Sequence, residues 1–389
     1  MIKRFLRLAL AALTLLTLTA AVASARVPFG TFGAVLDPEV SLYSTQTALD
    51  AQLAVMAQSG VQSIRTNFDW ETTEQRQGVY QWGSLDNIVT AAASHGFQLL
   101  PIVEFTPRWA SSHKSSAWNE YAPAKASTYA AFVTALVDRY GPKGSFWAMH
   151  PGLSRVPIRA WQIWNEPEGT KYDWRSRPWP ITYTALLRAA YRAIHRADRG
   201  ATVVSGALVG LNTTNLTPWA EAAALYGAGA KRYFDVLAVN AFTFSPSVSG
   251  SVSRSLEIVR LVRDVMRAHG DGGKPIWVTE VTWTAAKGRI PPSKYAGFET
   301  TPKGQAARLA AYYERVAGHR PFGIQRAFWY TWASTYLSKP LFGIPPTFQY
   351  SGLVQWRPAT GFTSLPLLSA YAKVAAKFEG CTGTHGHTC

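Results

Sequence analysis

The sequence predicts an α/β fold: a (β/α)8 TIM barrel formed as one domain. Three observations carry that prediction. Short apolar runs alternate with amphipathic stretches of helical period along the chain, as parallel βα units do. The runs amount to eight strands, the number that closes such a barrel. No Ser/Pro-rich linker, repeat or low-complexity block divides them, and α/β barrels exceed the usual domain size as single units. A doubly wound sheet is the structural alternative.

The first strand reads Phe29 to Leu36. A helix follows over Thr45 to Ser59, with Leu49, Leu53 and Met56 on one face and Gly60 as its stop. Val61 to Asn67 is the second strand. Ser84 caps a helix that runs to Ser94, its face set by Leu85, Ile88 and Val89, and Gly96 ends it. Phe97 to Phe105 is the third strand. The helix Ala124 to Tyr140 carries an apolar stripe of Tyr129, Phe132, Val133, Leu136 and Val137. Gly141 to Val156 reads as a loop. Strand four, Ile158 to Trp164, runs into Asn165-Glu166-Pro167, where the proline stops the ladder. Thr182 to Ala197 is helical. Thr202 to Leu208 and Asp235 to Phe242 are strands five and six. The helix Ser253 to His269 keeps Leu256, Val259, Val262 and Met266 in register. Strand seven spans Pro275 to Val281, and Pro302 to Val316 is helical. Gln325 to Trp332 is strand eight, and Leu365 to Phe378 closes the chain as a helix.

The 389-residue chain begins with a pattern expected of an export leader. Lys3, Arg4 and Arg7 precede the apolar run Leu6 to Ala20, and Ala23-Ser24-Ala25 forms a cleavage site before Arg26. The expected organisation is a signal peptide over 1–25, the barrel over 26–380 and a tail over 381–389. Removing the leader takes away three positive charges, so the formal net charge falls from +16 to +13. The Lys and Arg residues are scattered and no nucleic-acid motif accompanies them, so nucleic acid is not an expected partner. An acidic or cell-wall polysaccharide fits the charge. No other segment is long and apolar enough to span a membrane. Cys381 and Cys389 read as a small disulfide loop in an exported chain; His385 and His387 between them make zinc the lesser reading.

The chemistry lies in two carboxylates. Glu166 follows strand four and Glu280 ends strand seven. In a parallel barrel, functional groups sit at the carboxyl ends of strands. Two carboxylates there are what cleavage of a glycosidic bond requires, one as proton donor and one as nucleophile or base. Burial should raise one pKa, while hydrogen bonds and a nearby cation hold the other low. No metal-ligand cluster or nucleotide loop stands out, so no metal or cofactor is expected.

The wider pattern resembles the clan A glycoside hydrolases, most nearly family 39 and related secreted barrels. The resemblance rests on Ser63-Ile64-Arg65, Phe68-Asp69-Trp70 and Gly78-Val79-Tyr80-Gln81-Trp82. It continues through Thr106-Pro107-Arg108-Trp109-Ala110, Trp161 to Pro167, Trp277 to Glu280 and Phe328 to Trp332, nearly the whole mature length. It implies a retaining β-glycosidase acting by double displacement. Glu166 would be the general acid/base and Glu280 the nucleophile. Asn165 would bond the sugar 2-hydroxyl, and Arg65 would hold the nucleophile ionised. Trp329 or Trp332 would supply a sugar platform; they lie an odd number of residues apart, so one strand presents them oppositely.

The sequence also departs from the clan. Asn240-Ala241-Phe242 stands where His-x-Tyr is common; Asn240, Phe242 and Tyr330 are expected among the substrate-binding residues, and another group, such as Tyr330, must serve the nucleophile. Glu104 occupies the neighbourhood of a strand-three histidine and reads as a structural ion pair before a substrate contact. These departures keep two alternatives open: a degenerate carbohydrate-binding barrel and a wall-remodelling transglycosylase. Among the tryptophans, Trp70, Trp109, Trp174 and Trp179 fall in loops on the expected active face and are read as subsite walls. Tyr172 to Trp179 is the expected substrate-facing loop, while Trp161, Trp277 and Trp356 read as core.

Overall fold

The computed structural model describes residues 27–168, 174–209, 217–243, 245–291, 295–334, 345–357 and 361–379. The expected leader, the Cys381 and Cys389 tail, and the Tyr172 end of the expected substrate loop lie outside these residues. One all-parallel sheet organises the chain. Its strands are β1 (Phe32–Val35), β2 (Ser63–Asp69), β3 (Gln98–Glu104) and β4 (Ala160–Ile163). Strand β5 is in two pieces, Thr202–Val204 and Leu208–Val209. Then come β6 (Leu237–Asn240), β7 (Ile276–Val281) and β8 (Ile324–Trp329).

The sheet closes on itself. Strand β1 pairs with both β2 and β8, and neighbours follow in chain order on each side. The two free ends of the sheet are the two pieces of β5, one on β4 and the other on β6. A parallel bridge from Val204, in the first piece, to Val236, just before β6, closes the ring. Eight strands therefore form the expected (β/α)8 barrel.

The break in β5 has a local cause. Gly206 lies so close to strand four that a Cβ would sit 2.9 Å from Pro167 Cδ and 3.0 Å from the Tyr183 hydroxyl oxygen. The Gly206 N–H donates to that hydroxyl, which donates to Ile163 O at 2.7 Å. A tyrosine hydroxyl thus replaces ladder bonds, and only glycine tolerates the approach.

Inward residues such as Val35, Leu100, Ala238 and Phe328 fill the barrel. Outward residues pack under the surrounding helices. Several helices start earlier than their apolar periodicity suggests. The helix Val248–Ala268 begins at Ser247, whose side chain caps the Gly250 N–H at 3.0 Å. Its first turn is Val-Ser-Gly-Ser, too polar to show a stripe. The Ala-rich helix Pro218–Gly227, capped by Thr217, was not expected at all. The stretch read as a loop before strand four holds a short helix, Ser145–Met149. After β8 the chain adds a small sheet of Ala333–Ser334, Val354–Arg357 and Gly361–Ser364.

Candidate active site

Arg65 points into the barrel from β2 and is 1% exposed. Its Nη1 donates to Glu280 Oε1 at 2.7 Å, its Nε to Gln162 Oε1 at 2.7 Å and its Nη2 to Asn165 Oδ1 at 2.8 Å. One fixed fork of donors therefore ties β2 to β4 and β7. Gln162 had no place in the sequence reading. As a buried amide two positions from the inward Ala160, it was hidden inside an apolar strand.

Regular strands send consecutive side chains to opposite faces. The end of β4 escapes that rule by its backbone. Trp164 and Glu166 hold φ of 67° and 41°, in the left-handed region that residues with a Cβ adopt at a cost. Both Asn165 and Glu166 consequently reach the mouth: Asn165 accepts from Arg65, and Glu166 Oε1 accepts from Asn240 Nδ2 at 2.7 Å. Strand β7 uses a bulge for the same end. Its register slips against β6 at Val239/Asn240 and against β8 between Val278 and Val281. The slip lets neighbouring Thr279 and Glu280 both face inward. Thr279 Oγ1 donates to Asn240 Oδ1 at 2.8 Å, which leaves the Asn240 NH2 for the glutamates.

Burial pushes the Glu280 pKa up, and the Arg65 cation and the Asn240 amide pull it part of the way back. Arg65 stands against the carboxylate as expected, and burial of the carboxyl works against it. Asn240 itself is fully buried, so its place is against the two carboxylates and not against sugar, as its assignment to substrate binding required. Glu104 accepts a hydrogen bond from Asn67.

A second carboxylate group lies behind Glu166. Glu168 is 3% exposed, with Oε1 accepting from the Val209 N–H at 2.7 Å. Glu221, from the unexpected helix, is 1% exposed. Glu168 Oε2 and both Glu221 oxygens meet no donor. Burial pushes Glu168 well above the ordinary carboxylate range, and the Glu221 and Glu166 charges add to the shift. Burial likewise pushes Glu221 up to about 8. A proton held by this pair supplies the missing donor, since two adjacent buried carboxylates cannot both ionise.

The aromatic assignments need correction. Trp70 is fully buried: the chain turns at the end of β2 into the helix Trp70–Thr73 and carries the indole under the helix Ala126–Tyr140. There it stacks on Phe132 and donates to Glu74 Oε2 at 2.6 Å. Trp109 packs edge-on against Trp70 and donates to Glu74 O at 2.7 Å. Trp174 packs against Trp164 and donates to Thr182 Oγ1, and Trp179 is buried. Neither strand-eight tryptophan is a platform. Trp329 and Trp332 face outward into the core and donate to Ser351 O and Gln52 Oε1. Trp161, Trp277 and Trp356 are core, as read.

The aromatic at the end of β8 that faces the barrel interior is Tyr330, half-buried. It packs edge-on against Phe242 and Phe348 as one wall of the mouth. Phe242 is 5% exposed, so it backs that wall. The exposed indole on this face is Trp118, in the loop after β3, with the Arg175 guanidinium 4.2 Å from its ring centre. The sequence reading missed it; a tryptophan in a polar stretch, Ser115-Ser116-Ala117-Trp118-Asn119, is the signal that would have found it. Among the described residues no group of three or more His, Cys, Asp or Glu side chains is placed to hold a metal, and no helix is long and apolar enough to cross a membrane.

No protein-family model matches the chain, and no curated protein sequence matches it. Solved structures do. A family 39 glycoside hydrolase from the gut symbiont Bacteroides cellulosilyticus superposes with a TM-score of 0.63 at 17% identity, over 90% of this chain and 64% of that one. A monomeric β-xylosidase from Caulobacter crescentus gives 0.63 at 17% identity, over 91% and 69%. An exo-β-1,4-mannosidase from an Opitutaceae bacterium gives 0.60 at 17% identity, over 92% and 62%. The chain thus spans under two thirds of the length of the first and third of these proteins. The neighbours are family 39 and other clan A glycoside hydrolases, and this chain shares their barrel fold.

Proposed function

We propose that this chain is a retaining β-glycosidase, exported to the cell envelope or beyond, that acts on β-linked oligo- or polysaccharide without a cofactor. The observation that carries the reading is the cluster built on Arg65 and Asn240. Asn240 donates to Glu166 at 2.7 Å and lies beside Glu280. Two acceptors sharing one amide sit within about two hydrogen-bond lengths, ~5–6 Å. Retaining enzymes hold their carboxyl groups ~5–5.5 Å apart, and inverting ones ~6.5–9.5 Å.

In this reading Glu280 attacks the anomeric carbon as the bond to the leaving oxygen breaks, and Glu166 gives that oxygen its proton. Water then enters, Glu166 takes the water's proton, and the bond to Glu280 breaks with configuration retained. The Asn165 NH2, free of the Arg65 contact made by its carbonyl oxygen, is available to the 2-hydroxyl. Tyr330 is the side chain available as a sugar wall, and Trp118 fits a site for units further along a glycan. The net positive charge favours an acidic or wall-associated substrate.

The test is sugar release from a panel of β-linked polysaccharides and aryl β-glycosides by wild type and by Glu280→Gln. Release by wild type that disappears in the variant is expected. Equal release by both would remove Glu280 from the chemistry, and no release by either would favour a binding-only barrel.

A further inference from the structure

The opposite end of the barrel carries a cavity lined by basic residues. A cavity of ≈ 440 Å³ opens where the chain enters β7 and β8, on the face away from the carboxylates. Arg263, Arg267, Lys274 and Arg320 line it, and no carboxylate does. Lys274 is committed to Asp271, and Arg267 shares Asp264 with Arg260. Arg263 and Arg320 make no ion pair among the described residues.

Arg263 is 2% exposed and unusually held for a buried guanidinium. Its Nε donates to Phe322 O at 2.8 Å, and its Nη1 to Gly272 O and Lys274 O at 2.9 and 2.7 Å. Those three carbonyls orient the group without neutralising it, and Nη2 keeps its hydrogens unbonded. Gly323, at φ 77°, preserves access to that nitrogen: a Cβ there would stand 2.6 Å from Nη2. Arg320 and Phe322 are also left-handed, at φ 43° and 56°. Arg320 ends the helix Pro302–His319, at a position where glycine is the relaxed choice. A strained arginine beside an uncompensated buried one is a geometry suited to a bound anion.

We propose that this cavity binds an oxyanion, carboxylate or phosphate, with Arg263 Nη2 as the fixed donor and Arg320 and Arg267 closing over it. The anion is carried by a small molecule or by the repeat unit of an acidic polymer; the volume suits a ligand of monosaccharide size. The site is independent of the glycosidase reading, since it lies at the other end of the barrel.

Titration calorimetry with inorganic phosphate, galacturonate and a short oligogalacturonate tests it, with glucose as the neutral control. Wild type is expected to bind the anions one to one, more weakly at higher salt, and to ignore glucose. Tighter binding of the oligomer than of the monomer assigns the site to a polymer; equal binding assigns it to a small anion. Arg320→Gly relieves the left-handed strain while removing the charge, so its melting temperature should hold or rise. Combined with Arg267→Gln it should weaken anion binding at least tenfold and leave any glycosidase activity on neutral substrates unchanged. Glu280→Gln should bind anions as wild type does. Absence of anion binding by wild type, or full binding by the folded double variant, would overturn the proposal.

Discussion

Two buried carboxylate groups flank Glu166, and they are solved differently. Glu280 has a guanidinium at 2.7 Å, itself fixed by Gln162 and Asn165. Glu168 and Glu221 have one backbone N–H and each other. Burial raises both groups, but only the first has a cation to offset it. The comparison teaches that depth alone does not set a carboxylate's charge state. In the first group a cation offsets part of the upward shift, and the second has no cation and must keep a proton. Glu166, half-buried between them, feels a cation-stabilised carboxylate on one side and a proton-sharing pair on the other.

The largest effect should come from erasing the difference. Arg65→Met leaves Glu280 buried without its cation, so kcat/KM on any substrate found should fall ~10³-fold or more and unfolding stability by ~3–5 kcal/mol. The acid limb of the pH profile should move to higher pH, because the pull that lowers Glu280 is gone. A profile that stays in place would deny the Arg65 contact its electrostatic role. Asn240→Ala should cost less, ~10–100-fold in kcat/KM, since it removes one bridging amide and leaves the cation.

The second group gives a stability effect with a definite sign. The Glu221 pKa is raised on folding, to about 8. Its contribution is whole below the unfolded value and is lost as pH rises through the folded one. Glu221→Gln removes that loss. Its unfolding free energy relative to wild type should therefore climb between about pH 5 and pH 8, by an amount on the order of 1–3 kcal/mol. A constant difference would mean that the pair does not share a proton. The smallest effect separates the aromatics. Trp118→Ala should raise KM for oligosaccharides ~3–10-fold, while Trp70→Phe should leave KM alone and cost stability by about 1 kcal/mol.

The barrel was legible because each βα unit writes its own periodicity, and the eight strands recur near their expected positions. Glu166 and Glu280 could be named because each stands at the carboxyl end of an apolar run, and Arg65 because its segment Ser63-Ile64-Arg65 belongs to the family resemblance. What surrounds them could not be read. The bulge at Thr279, the left-handed Trp164 and the break at Gly206 each overturn the alternation from which side-chain direction is inferred. Trp70, Trp329 and Trp332 were misplaced for the same reason: a turn or an outward register decides whether an indole meets sugar or core. Glu221 stayed hidden because its Ala-rich helix has little apolar stripe to announce it.

The central claim is that Glu280 forms a bond to sugar while Glu166 moves the proton. Intact-mass and peptide mapping after incubation with activated 2-deoxy-2-fluoro β-glycosides, using the sugar that wild type releases, tests it most directly. The account predicts one added glycosyl group on the peptide holding Glu280, formed by wild type and absent in Glu280→Gln. Turnover of the parent substrate with inversion of configuration, or a label on any other residue, would contradict it.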